Sequence, residues 1–304
     1  MKEQKNIKRI ELRKIKQVWM RNISGWLLIA PSVILFVLLV WRPIIIGISY
    51  SFFDLKGFAP VKFVGFDNYI DVLTDTNFLQ TLKNTVWYVF WSLIIGFPLP
   101  FICAVILNEL IHTKGWFSVS TYLPVLVPSI ASMLIWKLIY QDGSGGLLNM
   151  FLYYIGIAPV DWLNNKALVI PELIISMTWH GFGGAIILYL ATLQGVDNSL
   201  YDAARVDGVG LIGRFTTVLF PHMRSLLLLN VIRQMISVFN VTEQPLAMTG
   251  GGPNGASMSL GLTNYFYAFK FGQYEKSLAL GVITFVILMG LTFVYFYFDK
   301  KTEV

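Results

Sequence analysis

A chain of 304 residues that is 56% hydrophobic and only 13% charged departs far from the roughly 25% charge of soluble globular proteins. A mean hydropathy of +0.64 agrees, so an ordinary soluble domain is excluded, and the single cysteine, Cys103, excludes a disulfide framework or a cysteine-cluster metal site. The net charge of +6 is not a nucleic-acid footprint, because eight of the 23 basic residues fall within the first 21 positions.

In that basic tail Ile7, Ile10, Ile15 and Val18 recur at roughly helical spacing among Lys5, Lys8, Arg9, Arg13, Lys14 and Lys16. Two readings stand: an amphipathic helix lying on an anionic membrane surface, or a frayed positive-inside tail. Residues 23–41 are the first of six apolar stretches long enough, or nearly so, to cross about 30 Å of hydrocarbon. No small-residue cleavage site follows it, so it is predicted to be an anchor and not a cleaved signal. The other spans are predicted at residues 85–107, 117–136, 167–193, 225–241 and 278–298.

Trp26 and Trp41 bracket the first span, and Trp116 and Trp136 the third. Helical rise puts these pairs about 22 and 30 Å apart, as interfacial aromatic belts require. Pro31, Pro98, Pro100, Pro124, Pro128 and Pro171 interrupt the spans, which suits a packed bundle whose neighbouring helices satisfy the freed backbone groups. The fold class is all-α and polytopic with six spans. Residues 1–77 hold the tail, first span and an external loop, residues 78–298 a five-helix core, and residues 299–304 a short tail. With the basic N-terminus inside, six spans return the C-terminus to the cytoplasmic side beside Lys300 and Lys301.

Motifs for catalysis are missing. There is no HExxH, the three histidines (His112, His180, His222) are far apart, and neither GxSxG nor GxxxxGK[ST] occurs. The chain is therefore read as a non-enzyme with no catalytic residue, metal or cofactor of its own. Any ATP that drives it must be bound by another chain.

The most patterned polar segment is residues 195–223. Asp197, Asn198 and Ser199 are good N-caps, residues 200–205 are predicted to form a short helix, and Asp207-Gly208 signals a turn. A second helix over 211–219 is predicted to stop near Pro221. A helix–turn–helix so regular on the cytoplasmic face is built to dock. Asp202-Ala203-Ala204-Arg205, Asp207-Gly208 and Pro221 resemble the EAA motif of permease subunits in binding-protein-dependent ABC importers. Asp202 stands where Glu is more frequent, and Val209 where a small residue often follows the glycine.

A second set of residues narrows the family. Thr249-Gly250-Gly251-Gly252-Pro253-Asn254, with Ala268-Phe269 and Gly272-Gln273-Tyr274 after it, resembles the TxGGP…Y…AF…G segment of sugar permeases. Phe66-Asp67-Asn68-Tyr69, Asn84-Thr85 and Tyr122-Leu123-Pro124 with Val127-Pro128 are similar to that family too. The resemblance, to maltose, glycerol-3-phosphate and multiple-sugar permeases, covers nearly the whole chain. It implies a type I importer permease with a coupling helix at about 197–221 and a bacterial plasma-membrane location. It also implies a second homologous permease, a cytosolic ABC ATPase dimer holding ATP and Mg, and an extracytoplasmic binding protein that delivers a saccharide. Gly250, Gly251, Gly252 and Pro253 then form either a loop facing that binding protein or a plain reversal between helices.

Sugars offer hydroxyls and apolar ring faces, so aromatic walls with a few amides suit them. Trp179, Phe182, Tyr189, Asn230, Arg233, Gln234 and Asn240 are the substrate-pathway candidates. On a regular helix Asn230, Arg233 and Gln234 share one face and Asn240 is offset. Gly181, Gly183 and Gly184 permit close approach of a substrate or a helix. Arg233 is read as pairing with a carboxylate, such as Glu172 or one on another chain, or as meeting an acidic sugar, a uronate or a phosphate ester. The competing classes are a permease for another solute, which the GGP segment disfavours, and an ion-coupled secondary transporter. The latter predicts inverted repeats that the sequence lacks.

Overall fold

The computed structural model describes residue 23 and residues 25–109 and 114–302; the basic tail, with its two readings, lies outside the described residues. Helix α1 (Gly25–Tyr50) continues past Trp41 because the sequence to Tyr50 stays apolar apart from Arg42. A hairpin that the sequence did not signal follows, β1 (Phe53–Lys56) and β2 (Ala59–Phe63), antiparallel with Phe53 opposite Phe63. Helix α2 (Asp67–Thr74) is clamped to the end of α1. The Asn68 amide donates to the carbonyls of Ser51 and Phe53, both at 2.9 Å, and the Tyr69 hydroxyl lies 2.5 Å from Ser51 Oγ.

Helices make up most of the described residues that follow: α3 (Phe78–Glu109), α4 (Gly115–Leu126) and α5 (Ser129–Ile139), then α6 (Leu147–Tyr154) and α7 (Val169–Leu193). Helix α8 (Asn198–Val206) leads through the short helical segment Leu211–Arg214 into α9 (Phe215–Phe239). Short helices α10 (Glu243–Thr249) and α11 (Leu260–Tyr265) precede α12 (Tyr274–Thr302). Five of these helices, α1, α3, α7, α9 and α12, are long and apolar enough to cross a membrane, and α4 with α5 makes a sixth if a bent pair counts as one span.

That pair corrects the predicted third span. The axis bends by 97° between Leu126 and Ser129. Pro128 has no N–H and pushes Val127 out of helical geometry, and Pro128 itself is extended at φ −53°, ψ 136°. The separation of about 30 Å between Trp116 and Trp136 assumed a straight rod, so the two do not mark opposite belts in that way.

Pro221 is a second correction, because the helix does not stop there. A wide turn with one extra residue precedes it, Phe215–Leu219, and the Phe220 N–H bonds five residues back to Phe215. The same device occurs at Val37–Trp41 before Pro43 and at Ser92–Gly96 before Pro98, where Arg42 and Phe97 bond back to Val37 and Ser92. A prolyl ring collides with the carbonyl four residues earlier. Inserting a residue into the turn moves that carbonyl aside, so each helix continues.

Two separate apolar cores hold the bundle. One gathers Tyr88, Val89, Leu173, Ile174, Val238 and Leu280. The other gathers Phe101, Ile186, Leu190, Met223 and Leu227. Along α3, α7 and α9 the first core ends near positions 89, 174 and 238, and the second begins near 101, 186 and 227. The layer between them is where the polar side chains lie. By contrast, the most apolar stretch of α1 is not buried against the chain at all.

Candidate functional site

Between the two cores a crevice of about 280 Å³ opens among α3, α7 and α9, lined by Gly96, Phe97, Pro100, Gly181, Gly184, Ala185, Leu188, Tyr189, Asn230, Arg233, Gln234 and Ser237. A second hollow of about 180 Å³ shares Gly96, Pro100, Gly181, Ala185, Gln234 and Ser237 with it, and reaches Thr178 and Met177. The polar wall is one face of α9: residues 230, 233, 234 and 237 follow the helical repeat of three and four. Ser237, one turn beyond Arg233, completes the stripe. Sequence reasoning missed it, although its position seven residues after Asn230 was the available signal.

The crevice is shaped by backbone as much as by side chains. The wide turn before Pro98 brings Gly96 against α9, where a Cβ would lie 2.9 Å from Gln234 Nε2 and 3.2 Å from Thr178 Oγ1. A Cβ at Gly181 or Gly184 would meet nothing within 4 Å, so these two glycines line open space. Gly183 differs: its Cβ would lie 2.5 Å from the Thr121 carbonyl oxygen and 2.6 Å from Tyr122 Cα. The three glycines thus divide into two that line the crevice and one that lets α4 approach α7.

Of the predicted pathway residues, Tyr189, Asn230, Arg233 and Gln234 come together here, and Trp179, Phe182 and Asn240 do not. Trp179 packs edge-on against Trp136 of α5, with ring centroids 6.0 Å apart. Phe182 packs on the second core. Asn240 follows the last residue of α9, and its amide donates to the Ile236 carbonyl at 2.9 Å. Helix α7 has no one-sided apolar stripe, so its sequence gives no face to choose by.

Arg233 is exposed to the crevice and has no ion-pair partner among the described residues. Glu172, its proposed partner, is 4% exposed with both carboxylate oxygens unpartnered, and it does not line the crevice. It stands nine residues before Gly181, about 14 Å by helical rise. The Glu172 pairing is therefore not formed. The Asn230 amide donates to the Leu226 carbonyl at 2.9 Å within its own helix.

The segment preceding α9 is built as predicted locally. The Asp197 carboxylate accepts from the Ser199 N–H at 2.9 Å, and that backbone hydrogen bond, with a lesser one from the Ser199 side chain, holds its pKa below the usual carboxylate range. Gly208 at φ +69° ends α8, and the Val209 N–H reaches back to the Ala204 carbonyl at 2.9 Å, a closure that a left-handed glycine permits. Ala204 is buried, while Leu200 and Val206 are exposed, Val206 by 87%. Ala203 and Asp207 are exposed as well. The side chains of Asp202 and Arg205 lie outside those described. Val209 packs on Gly213, where a Cβ would lie 2.4 Å from the valine methyl. Beyond it, Arg214 approaches Glu109, the last residue of α3, at 3.9 Å.

At the other end of α9 the glycine run is packed down, not free-standing. Gly250, at φ +61°, ends α10. Gly251 is buried, and Gly250 and Asn254 are exposed. The Asn84 amide of α3 donates to the carbonyls of Gly255 and Met258 at 2.7 and 3.0 Å, and the Tyr88 hydroxyl to that of Ser257 at 2.9 Å. Asn84-Thr85 therefore holds the segment that follows the GGP run, with the Leu260 N–H donating to Thr85 Oγ1 at 3.0 Å. Nearby the Tyr267 hydroxyl donates to Asp75 at 3.0 Å. Burial and that carboxylate raise its pKa.

Comparison with known proteins follows the same lines. Residues 96–304 match the family described as binding-protein-dependent transport system inner membrane component. The chain is 31% identical over 272 residues to the trehalose/maltose transport system permease protein MalF of Thermococcus litoralis, covering 89% of this chain and 92% of that protein. It is 28% identical to the lactose transport system permease protein LacF of Rhizobium radiobacter, over 93% of this chain and 96% of the relative. Among solved structures, a bacterial ABC transporter involved in the import of the acidic polysaccharide alginate superposes with a TM-score of 0.81 at 22% identity. That match covers 94% of this chain and 99% of that one.

Proposed function

The chain belongs to the family of binding-protein-dependent transport system inner membrane components, and from that premise we propose that it moves a saccharide through the crevice between α3, α7 and α9. It is a multi-pass membrane transport subunit with the fold of a type I ABC importer permease. Its relatives' sugar names support the cargo class, and the amides, hydroxyls and aromatic ring of the crevice suit it.

The observation that carries the reading is the continuity of α8 with α9. A nine-residue helix with exposed Leu200 and Val206 is joined through the Gly208 turn to the helix that presents Asn230, Arg233, Gln234 and Ser237. A force on α8 is thus delivered to the crevice wall. In the proposed complex α8 docks on a cytosolic ATPase that binds ATP and Mg, a second permease completes the pathway, and a binding protein meets the end bearing the 250–253 run. Both chain termini lie on the cytoplasmic side.

The test is purification of the tagged chain from its native membrane, identification of the co-purifying proteins, and assay of ATP hydrolysis with saccharide-loaded binding proteins. A second permease and an ATPase stimulated by one loaded binding protein is the expected result. A lone chain without an ATPase would overturn the reading.

A further inference from the structure

We propose that Arg233 selects for a carboxylate on the transported saccharide, so that the cargo is an acidic sugar or oligosaccharide containing a uronic acid. This rests on the saccharide reading above and specifies the chemistry of the same crevice.

The argument begins with the cost of the residue. A guanidinium within a membrane-spanning helix is retained where it is paired or lines an aqueous cavity. Arg233 lies six residues before the end of α9, about 9 Å inside it. The crevice that it lines contains no aspartate or glutamate. Within the described spans only Glu109, Glu172 and Glu275 are acidic, and Glu275 stands in the first turn of α12 and does not line the crevice. Glu109 faces Arg214, and Glu172 sits away from the crevice with its oxygens unpartnered. Among the described residues, the cation of the crevice is therefore left unneutralised.

The neighbours of Arg233 define what it would neutralise. Gln234 on one side and Asn230 on the other are neutral amides, Ser237 and Tyr189 supply hydroxyls, and Gly181 and Gly184 leave the facing wall bare. Amides and hydroxyls read sugar hydroxyls. The planar guanidinium adds a fork that fits a carboxylate in two-point contact. A neutral sugar would leave that fork unmatched.

The test uses the whole complex in proteoliposomes, with its partner permease, ATPase and binding protein. The probes are short oligogalacturonates and the same oligosaccharides with each carboxylate reduced to a primary alcohol. Uptake of the uronate form is expected, with Arg233→Gln lowering it by about tenfold or more, the scale of a lost charge-assisted hydrogen bond. Any uptake of the reduced form should change by less than about twofold. Arg233→Lys keeps the charge without the fork. It should assemble and carry the uronate form with raised KM, and so serves where the glutamine variant fails to assemble. Uptake of the reduced form alone, or equal uronate uptake with and without Arg233, overturns the proposal while the saccharide reading stands. Failure of both variants to assemble overturns it too, since Arg233 is then a structural ion pair with the partner permease. If neither form nor any other saccharide drives uptake or ATP hydrolysis, the saccharide reading falls, and this proposal with it.

Discussion

The amide of Asn84 donates to the carbonyl of Gly255, 171 residues further along the chain, at 2.7 Å, and to that of Met258 at 3.0 Å. One side chain in α3 thereby fixes the loop after α10 to the start of another membrane helix. Replacing it with alanine removes two hydrogen bonds worth about 1 kcal/mol each and leaves two carbonyls to be satisfied afresh. Asn84→Ala is expected to destabilise the protein by about 2 kcal/mol or more, read as a lower midpoint in thermal unfolding of the purified complex. Gln80, which reaches Asn254 from an exposed position at 3.2 Å, is the control. Its alanine variant should shift the midpoint far less, and equal shifts would show that the Asn84 contact is not what holds the loop.

The glycines of α7 make a sharper comparison. At Gly183 a methyl would lie 2.5 Å from a backbone oxygen of α4, so the two helices must part, at a cost on the order of 1–3 kcal/mol. At Gly184 the same methyl meets nothing within 4 Å and gains helix propensity. Gly183→Ala is expected to lower the yield of monodisperse complex, and Gly184→Ala to leave it unchanged or improved. Gly184→Leu should then assemble normally yet slow transport, because its side chain enters the crevice. Matching behaviour of the two alanine variants would contradict this division of roles.

These glycines also mark where sequence reading ends. The polar face of α9 is legible because its residues break an apolar helix at regular spacing, and the Asp207-Gly208 turn because its chemistry is local. Trp179 and Phe182 lie off the crevice, and the sequence does not show it because α7 has no one-sided apolar stripe, so which face meets the crevice is decided only by what packs against it. The prolines show a related limit. Pro43, Pro98 and Pro221 look alike in sequence to Pro128, yet the first three are absorbed by a widened turn and the last breaks the axis by 97°. The hairpin of residues 53–63 was hidden because its two strands, of four and five residues, are too short for an alternating pattern to register.

The start of α8 carries a pH dependence of fixed sign. The Asp197 carboxylate is held below its unfolded value because it accepts the Ser199 N–H. Its contribution is therefore complete above the unfolded pKa, near 3.9, and is lost as pH falls through the lower folded value. Hydrogen-exchange protection of the Ser199 and Leu200 amides, corrected for intrinsic rates, is expected to hold level above about pH 5 and to decline below about pH 4. Asp197→Ala should show low protection without that decline. A decline that persists in the variant would assign it to another group.

Val206 closes α8 with 87% of its surface exposed. If α8 only connected α7 to α9, replacing an exposed valine by a charged residue would change stability by less than about 0.5 kcal/mol and alter nothing else. If α8 is seated in a groove of an ATPase, Val206→Asp places an unpaired charge in that groove and the contact is lost. The variant is expected to insert and fold normally, to lose the ATPase on size-exclusion chromatography, and to abolish saccharide-stimulated ATP hydrolysis. Val206→Ile, which keeps the apolar surface, should retain both. The comparison isolates docking from folding because the Gly208 turn and the Val209–Ala204 hydrogen bond that end the helix are the same in each.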